Sequence, residues 1–229
     1  MRDYVIINKK VYNNLAKEYC KRVKKCFFHN ERITKPFIEY LKQNINMPKI
    51  LELGCGNGLN LVAFEKEGLE PFAIDISNKM IGISKKRTIN TKYFYGDFLE
   101  YDFKDLKFDG IFASAFIHLF SKKDAILVLE KIKNLLTNKG IIFLSTTIHQ
   151  NSEEGFFEKE DYCGGFKRFR KKWIINELIN TLKDLKFQII RWDFYLEEER
   201  KKLWVNLILA PNLITPIQNI SNKLNVNRR

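Results

Sequence analysis

The stretch Ile50-Leu51-Glu52-Leu53-Gly54-Cys55-Gly56-Asn57-Gly58 constrains this fold more than any other part of the chain. An apolar run of strand length meets a glycine turn, and a helical pattern follows. Glycines at positions 54, 56 and 58 let the backbone enter positive φ and leave no Cβ in the way of a ligand. About twenty residues on, Pro71-Phe72-Ala73-Ile74-Asp75 reads as a second buried strand that ends in an acid. A turn that only closes a β–α junction would explain the glycines. It would not explain acids at matching points of both strands, Glu52 and Asp75.

The alternation continues down the chain. Residues 10–28 and 34–46 read as amphipathic helices, and strands are expected at 49–53, 71–75, 91–95, 108–113 and 141–146. Helices at 58–67, 77–87 and 122–136 fall between them. Ser77 suits the cap of the 77–87 helix, and Asn138-Lys139-Gly140 reads as the stop of the 122–136 helix. Strand and helix in turn imply a mostly parallel sheet with helices on both faces. Residues 149–171 break the pattern. They are polar, aromatic and too long for a simple connector, which marks a substrate loop inserted after strand five. A helix at 172–185 and strands at 187–196 and 202–210 close the domain. The charged link at 197–202 is tight enough to make the last two strands antiparallel. The expected organisation is one domain over 1–210, with an N-terminal helical cap at 1–47. Residues 211–229 form an extension whose order the sequence does not define.

Composition narrows the class. Apolar residues make up 45% of the chain, enough for a packed core, and no apolar run reaches the length of a membrane span. The four cysteines form no C-x-x-C pair and read as reduced thiols, so no metal site is expected and the setting is cytoplasmic. The net charge of +13 is concentrated in two places, Lys17 to Lys25 and Lys167 to Lys172. Each is either a phosphate-binding patch or a lysine-rich solvated face.

The glycine turn is not the dinucleotide fingerprint G-x-G-x-x-G, whose last glycine would fall where Leu59 stands. It also lacks a P-loop lysine. The pattern E-x-G-x-G-x-G, with Glu52 two residues ahead of Gly54, resembles the first motif of class I S-adenosylmethionine (SAM) methyltransferases. The Tyr12-Asn13-Asn14-Leu15-Ala16-Lys17-Glu18-Tyr19 segment resembles the Y-D-x-x-A-x-x-Y element of their small-molecule members, with Asn13 for Asp. The resemblance covers roughly 10–210. It implies a Rossmann-like seven-stranded sheet, order 3-2-1-4-5-7-6, with strand seven antiparallel and an N-terminal helical lid.

The resemblance also implies roles. SAM would rest its methionine end on Glu52 and on the backbone of Gly54, Cys55, Gly56 and Gly58. Asp75, with Ile76 beside it, would accept from both ribose hydroxyls. In Gly96-Asp97-Phe98, Asp97 would accept from the adenine amino group and Phe98 would flank the ring. Ser114 ends strand four beneath the transferable methyl group. The stretch 114–120 lacks both the N/D/S-P-P-Y/F motif and a Pro-Cys nucleophile. His118, His149 and Tyr162 are the candidate bases, in that order. Tyr12, Tyr19, Arg168 and Arg170 are candidate acceptor contacts. The expected function is methyl transfer to oxygen or nitrogen of a small molecule. An RNA methyltransferase and an inactive SAM-binding regulatory protein are the alternatives.

Overall fold

The computed structural model describes residues 1–23, 27–43, 45–158 and 165–211, without the side chains of 22–30. Asp161, Tyr162 and Cys163 lie outside the described residues, as does the extension beyond 211.

Seven strands form the central sheet in the order β3-β2-β1-β4-β5-β9-β8. These are β1 (Lys49–Leu53), β2 (Glu70–Asp75), β3 (Lys92–Tyr95), β4 (Phe108–Ser114), β5 (Leu136–Ile148), β8 (Gln188–Glu197) and β9 (Lys202–Ala210). The contacts among β1 to β5 are parallel, while β9 runs antiparallel to both β5 and β8. The seven-stranded order and the reversed last strand therefore agree with the expectation. A parallel pair needs a crossover, and α3 (Leu59–Lys66), α4 (Asn78–Ser84) and α5 (Lys122–Leu135) supply three of them.

The core divides by strand alternation. Leu51, Leu53, Ile111, Ala113, Ile142 and Leu144 face one layer, where Val128, Leu129 and Ile132 of α5 and Leu178 and Leu182 of α6 (Ile175–Asp184) cover them. Ile50, Phe112, Ile141 and Phe143 face the other, under Phe64 of α3 and Ile33, Phe37 and Leu41 of α2 (Phe27–Lys42). Phe112 and Phe143 stack with centroids 4.4 Å apart. Each such side chain contributes about 1.5–3 kcal/mol by leaving water, so the parallel strands read as nearly unbroken apolar runs.

Several boundaries differ from the sequence reading, that of α2 (Phe27–Lys42), expected at 34–46, among them. The first helix, α1, spans Asp3–Val23, so it begins well before residue 10. The 122–136 helix does not stop at Gly140. It ends at Leu135, and β5 begins at the next residue. Gly140 is needed for room: a Cβ there would lie 2.8 Å from Leu136 Cδ2 and 3.1 Å from the Phe108 carbonyl oxygen. The 149–171 segment is not a plain loop. Its described part is a two-stranded antiparallel sheet, β6 (Glu153–Glu158) with β7 (Lys167–Lys172). Trp173, expected inside a helix, is a fully buried core residue ahead of α6. Among the described residues, no helix is long and apolar enough to cross a membrane.

Candidate active site

The C-terminal ends of β1, β2 and β3 open onto a crevice of about 680 Å³. Its floor is the glycine turn. Gly54, Gly56 and Gly58 take φ of 69°, 52° and 79°, the left-handed region in which a side chain is strained. Gly54 also faces Phe116, whose ring carbon would be 3.0 Å from a Cβ. Gly58 starts α3 and would drive a Cβ to 2.1 Å from Ser84 Oγ.

Three carboxyl groups line this floor, one beyond or at the end of each strand. Glu52 is buried, and its Oε1 accepts from Asn60 Nδ2 at 2.7 Å. Its Oε2 is buried with no hydrogen-bond partner. Burial raises the Glu52 carboxyl to about 8; the bond from Asn60 works against this rise and the nearby Asp75 charge adds to it. Asp75 accepts from the Gly56 amide at 3.0 Å and the Ser77 amide at 2.8 Å. Burial lifts it to about 6, against the pull of the amides of Ser77, Gly56 and Ile76. Asp97 Oδ1 accepts from the Leu99 amide at 3.0 Å, while Oδ2 is buried with no partner. Burial raises this carboxyl too. The Cys55 thiol is pushed well above its usual value by burial and then by Asp75 and Glu52, so it stays a protonated, packed wall.

An unpartnered buried carboxylate oxygen is costly and calls for a donor from a ligand. The crevice thus offers buried acceptors around a side-chain-free floor, which fits a ligand bearing ammonium, hydroxyl and amino donors. Phe98, Ile76 and Met80 supply apolar wall around it.

The other half of the crevice comes from distant segments. After Ser114, Ala115 takes φ of 55° and the chain enters a 3-10 turn at Ile117–Leu119. This turn carries His118, buried, with Nδ1 3.0 Å from Thr146 Oγ1 of β5. α1 lies across the opening and presents Val5, Asn8, Tyr12 and Tyr19. Asn8 joins three pieces: its Oδ1 accepts from the Phe169 amide at 2.8 Å, and its Nδ2 donates to the carbonyls of Phe169 at 3.3 Å and Leu119 at 3.4 Å. Asn13, one residue after Tyr12, accepts at 2.6 Å from Ser77 Oγ, which itself caps α4 by accepting from the Met80 amide at 3.2 Å. β7 adds Arg168 and Arg170, and the β8–β9 hairpin adds Tyr195 and Trp204.

The crevice therefore gathers Glu52, Gly54, Cys55, Gly56, Asp75, Ile76, Asp97, Phe98, Ser114, His118, Tyr12, Tyr19, Arg168 and Arg170. Gly58 sits behind it, packed on Ser84. His149 does not join them. It lines a separate recess with Gln150, Asn151, Glu153 and Lys172, and its Nε2 is 3.0 Å from Thr147 Oγ1. Burial and then Arg170 and Lys172 lower its pKa to about 4, so it is neutral at pH 7. Sequence reasoning missed Asn60, Asn8 and the β8–β9 hairpin. Asn60 had one usable signal, its place one turn into the helix that follows the glycines. The other two had none, because they reach the crevice only through tertiary packing.

The basic run at 167–172 is not an open patch. Lys171 is buried and paired with Glu177 at 3.0 Å, Lys172 meets Glu153 at 2.6 Å, and Arg170 bonds Thr147. Lys24 and Lys25 of the first cluster lie outside the described residues.

Comparison with known proteins agrees with this geometry. Residues 50–140 match the family model described as a methyltransferase domain. A protein of Methanocaldococcus jannaschii, itself uncharacterised, is 28% identical over 178 residues, 78% of this chain and 83% of its own. Among solved structures, the 1,6-didemethyltoxoflavin-N1-methyltransferase of Burkholderia thailandensis superposes with a TM-score of 0.68 at 14% identity. The match covers 90% of this chain and 88% of that one, which was solved with 1,6-didemethyltoxoflavin and S-adenosylhomocysteine (SAH) bound. The glycopeptide N-methyltransferase MtfA gives a TM-score of 0.60 at 15% identity over 79% and 90% of the two chains. The sheet order, the glycine floor with its acids and the match over 50–140 agree: residues 50–140 match a methyltransferase domain, and the chain has the Rossmann-like fold of the SAM-dependent methyltransferases that superpose on it.

Proposed function

We propose that this protein transfers the methyl group of SAM to a nitrogen or oxygen atom of a small molecule. The observation that carries the reading is the set of buried, raised carboxyls around the glycine floor, two of them with an unpartnered oxygen. Glu52 would receive the ammonium of the methionine end, Asp75 the ribose hydroxyls and Asp97 the adenine amino group, with Phe98 and Ile76 against the ring. When bound, SAM supplies an activated methyl group on a sulfonium whose thioether leaves readily.

The chain's own residues then have three tasks. Ser114, Phe116 and the 3-10 turn set the wall facing the acceptor, and α1 with Tyr12 and Tyr19 closes the mouth against water. His118, held by Thr146, takes the proton of an acceptor that must lose one. His149 has no such task, given its place outside the crevice. Product release requires α1 and the β6–β7 hairpin to part from the crevice.

A small acceptor is favoured over RNA because the basic residues of β7 other than the exposed Lys167 face inward or are paired, and because the N1-methyltransferase that superposes on the chain was solved with 1,6-didemethyltoxoflavin bound. Incubating the protein with labelled SAM and fractionated cell extract tests this. Label is expected in the low-molecular-weight fraction and is expected to fall in His118→Asn. Label confined to RNA would overturn the choice of acceptor.

A further inference from the structure

Arg168 is 9% exposed, yet it lines the crevice. Its Nη1 donates to the Tyr12 hydroxyl, and its guanidinium lies 5.7 Å from the Tyr12 ring centroid. A phenol is a neutral partner. Among the described residues no carboxylate pairs with Arg168, whereas Lys171 and Lys172 on the same strand each have one. A buried cation without a counterion is expensive and is kept where a ligand supplies the charge. Its position is also fixed in advance. The next residue, Phe169, is held through both its amide and its carbonyl by Asn8, and its ring packs tilted against Tyr4 with centroids 4.3 Å apart. Phe157 of β6 stands opposite Arg168 in the hairpin. The guanidinium therefore loses little freedom on binding, and its planar fork matches a two-oxygen anion.

Three acids of the crevice, Glu52, Asp75 and Asp97, belong to β1 to β3 and their turns, and Glu197, Glu198 and Glu199 line it from the β8–β9 hairpin; none of the six is paired with Arg168. Arg168 rises instead from the β6–β7 hairpin, packed on α1 and on the 3-10 turn that follows β4. Val5 of α1 and Leu119 and Phe120 at the end of the 3-10 turn, elements that pack on β7, line the same crevice with apolar surface suited to a ring or short hydrocarbon.

We infer that Arg168 is the anion-binding residue of the acceptor subsite, and that the methyl acceptor is a small molecule with an apolar body and a carboxylate or phosphate group. The inference rests on the proposed methyltransferase reading. Tyr12 orients the guanidinium, and the anion takes the remaining N–H donors. The anion fixes which atom of the acceptor faces the methyl group, so Arg168 sets specificity by position rather than by chemistry.

Binding to the SAH-saturated protein tests it, with benzoate, phenyl phosphate and neutral benzamide as probes. Benzoate or phenyl phosphate is expected to bind and benzamide to bind at least tenfold more weakly. Whichever of the two anions binds better tells carboxylate from phosphate. Arg168→Gln is expected to lose at least tenfold for the anion while holding SAH within threefold. Arg168→Lys, which keeps the charge and the fold but not the fork, is expected to fall between. Equal binding of benzamide, anion affinity unchanged in Arg168→Gln, or no anion binding to an SAH-loaded protein would overturn the inference alone. A loss of SAH affinity in Arg168→Gln matching the loss for the anion would also overturn it, by assigning the arginine to the cofactor. Absence of SAH binding by the unaltered protein would remove the methyltransferase reading beneath it.

Discussion

The two halves of the crevice are built by different rules. The cofactor half is made by one short span of chain, β1 to β3 with their turns, where backbone conformation dictates residue type. The acceptor half is assembled from α1, the 3-10 turn, β7 and the β8–β9 hairpin, segments scattered along the whole chain, joined by side chains such as Asn8 and Arg168. A local rule constrains the first; only packing constrains the second. Their electrostatics differ as well. Burial raises the carboxyls of one half and lowers a histidine in a recess beside the other.

The largest effect should come from a methyl group placed in the cofactor half. Gly58→Ala combines a φ of 79° with a 2.1 Å clash and is expected to cost about 3 kcal/mol in chemical denaturation. Asn8→Ala removes three hydrogen bonds that tie the acceptor half together. It is expected to cost about 2 kcal/mol while leaving SAH affinity nearly unchanged. A fall in SAH affinity as large as that of a glycine-turn variant would show that the halves are not separable. Ser77→Ala tests the seam between them, because Ser77 caps α4 and also holds Asn13 of α1. A cost of about 1 kcal/mol is expected from the cap.

The pH dependence has opposite signs in the cofactor half and in the separate recess of His149. Unfolded Glu52 would lose its proton near 4.5, but the folded group holds it to about 8. Unfolding therefore releases a proton in that window, and stability falls as pH rises through it; Asp75, lifted from 3.8 to about 6, acts in the same direction. His149 is lowered from 6.5 to about 4, so unfolding takes up a proton there and stability falls as pH drops through that range. Thermal melts should show Glu52→Gln flattening the neutral-side decline and His149→Gln flattening the acid-side one. The same slope in both variants and the unaltered protein would contradict this assignment.

Legibility in the sequence follows the same division. The glycine turn, Asp75, the Ser77 cap and the parallel strands were readable because positive φ, an orphan helix amide and a doubly buried strand each demand a residue type. Gly140 misled for the same reason: a helix stop and a crowded strand both ask for glycine, and only the neighbours Leu136 and Phe108 distinguish them. β7 was hidden because Lys167-Arg168-Phe169-Arg170-Lys171-Lys172 has no apolar alternation, although Arg168 and Lys171 are buried. Their burial depends on Tyr12 and Glu177, partners that no local pattern announces. His149 was placed at the correct end of the sheet but in the wrong recess, since the direction in which the chain leaves β5 is set by the bridge between Ile148 and Trp173.

The central claim is that a sulfonium nucleoside occupies the tips of β1 and β2. Calorimetric titration of SAH into the unaltered protein, Asp75→Ala and Gly56→Val tests it most directly. The account predicts one site of micromolar affinity, weakened about a hundredfold in Asp75→Ala and abolished in Gly56→Val, with both variants folded. No heat with the unaltered protein, or equal affinity in all three, would contradict it.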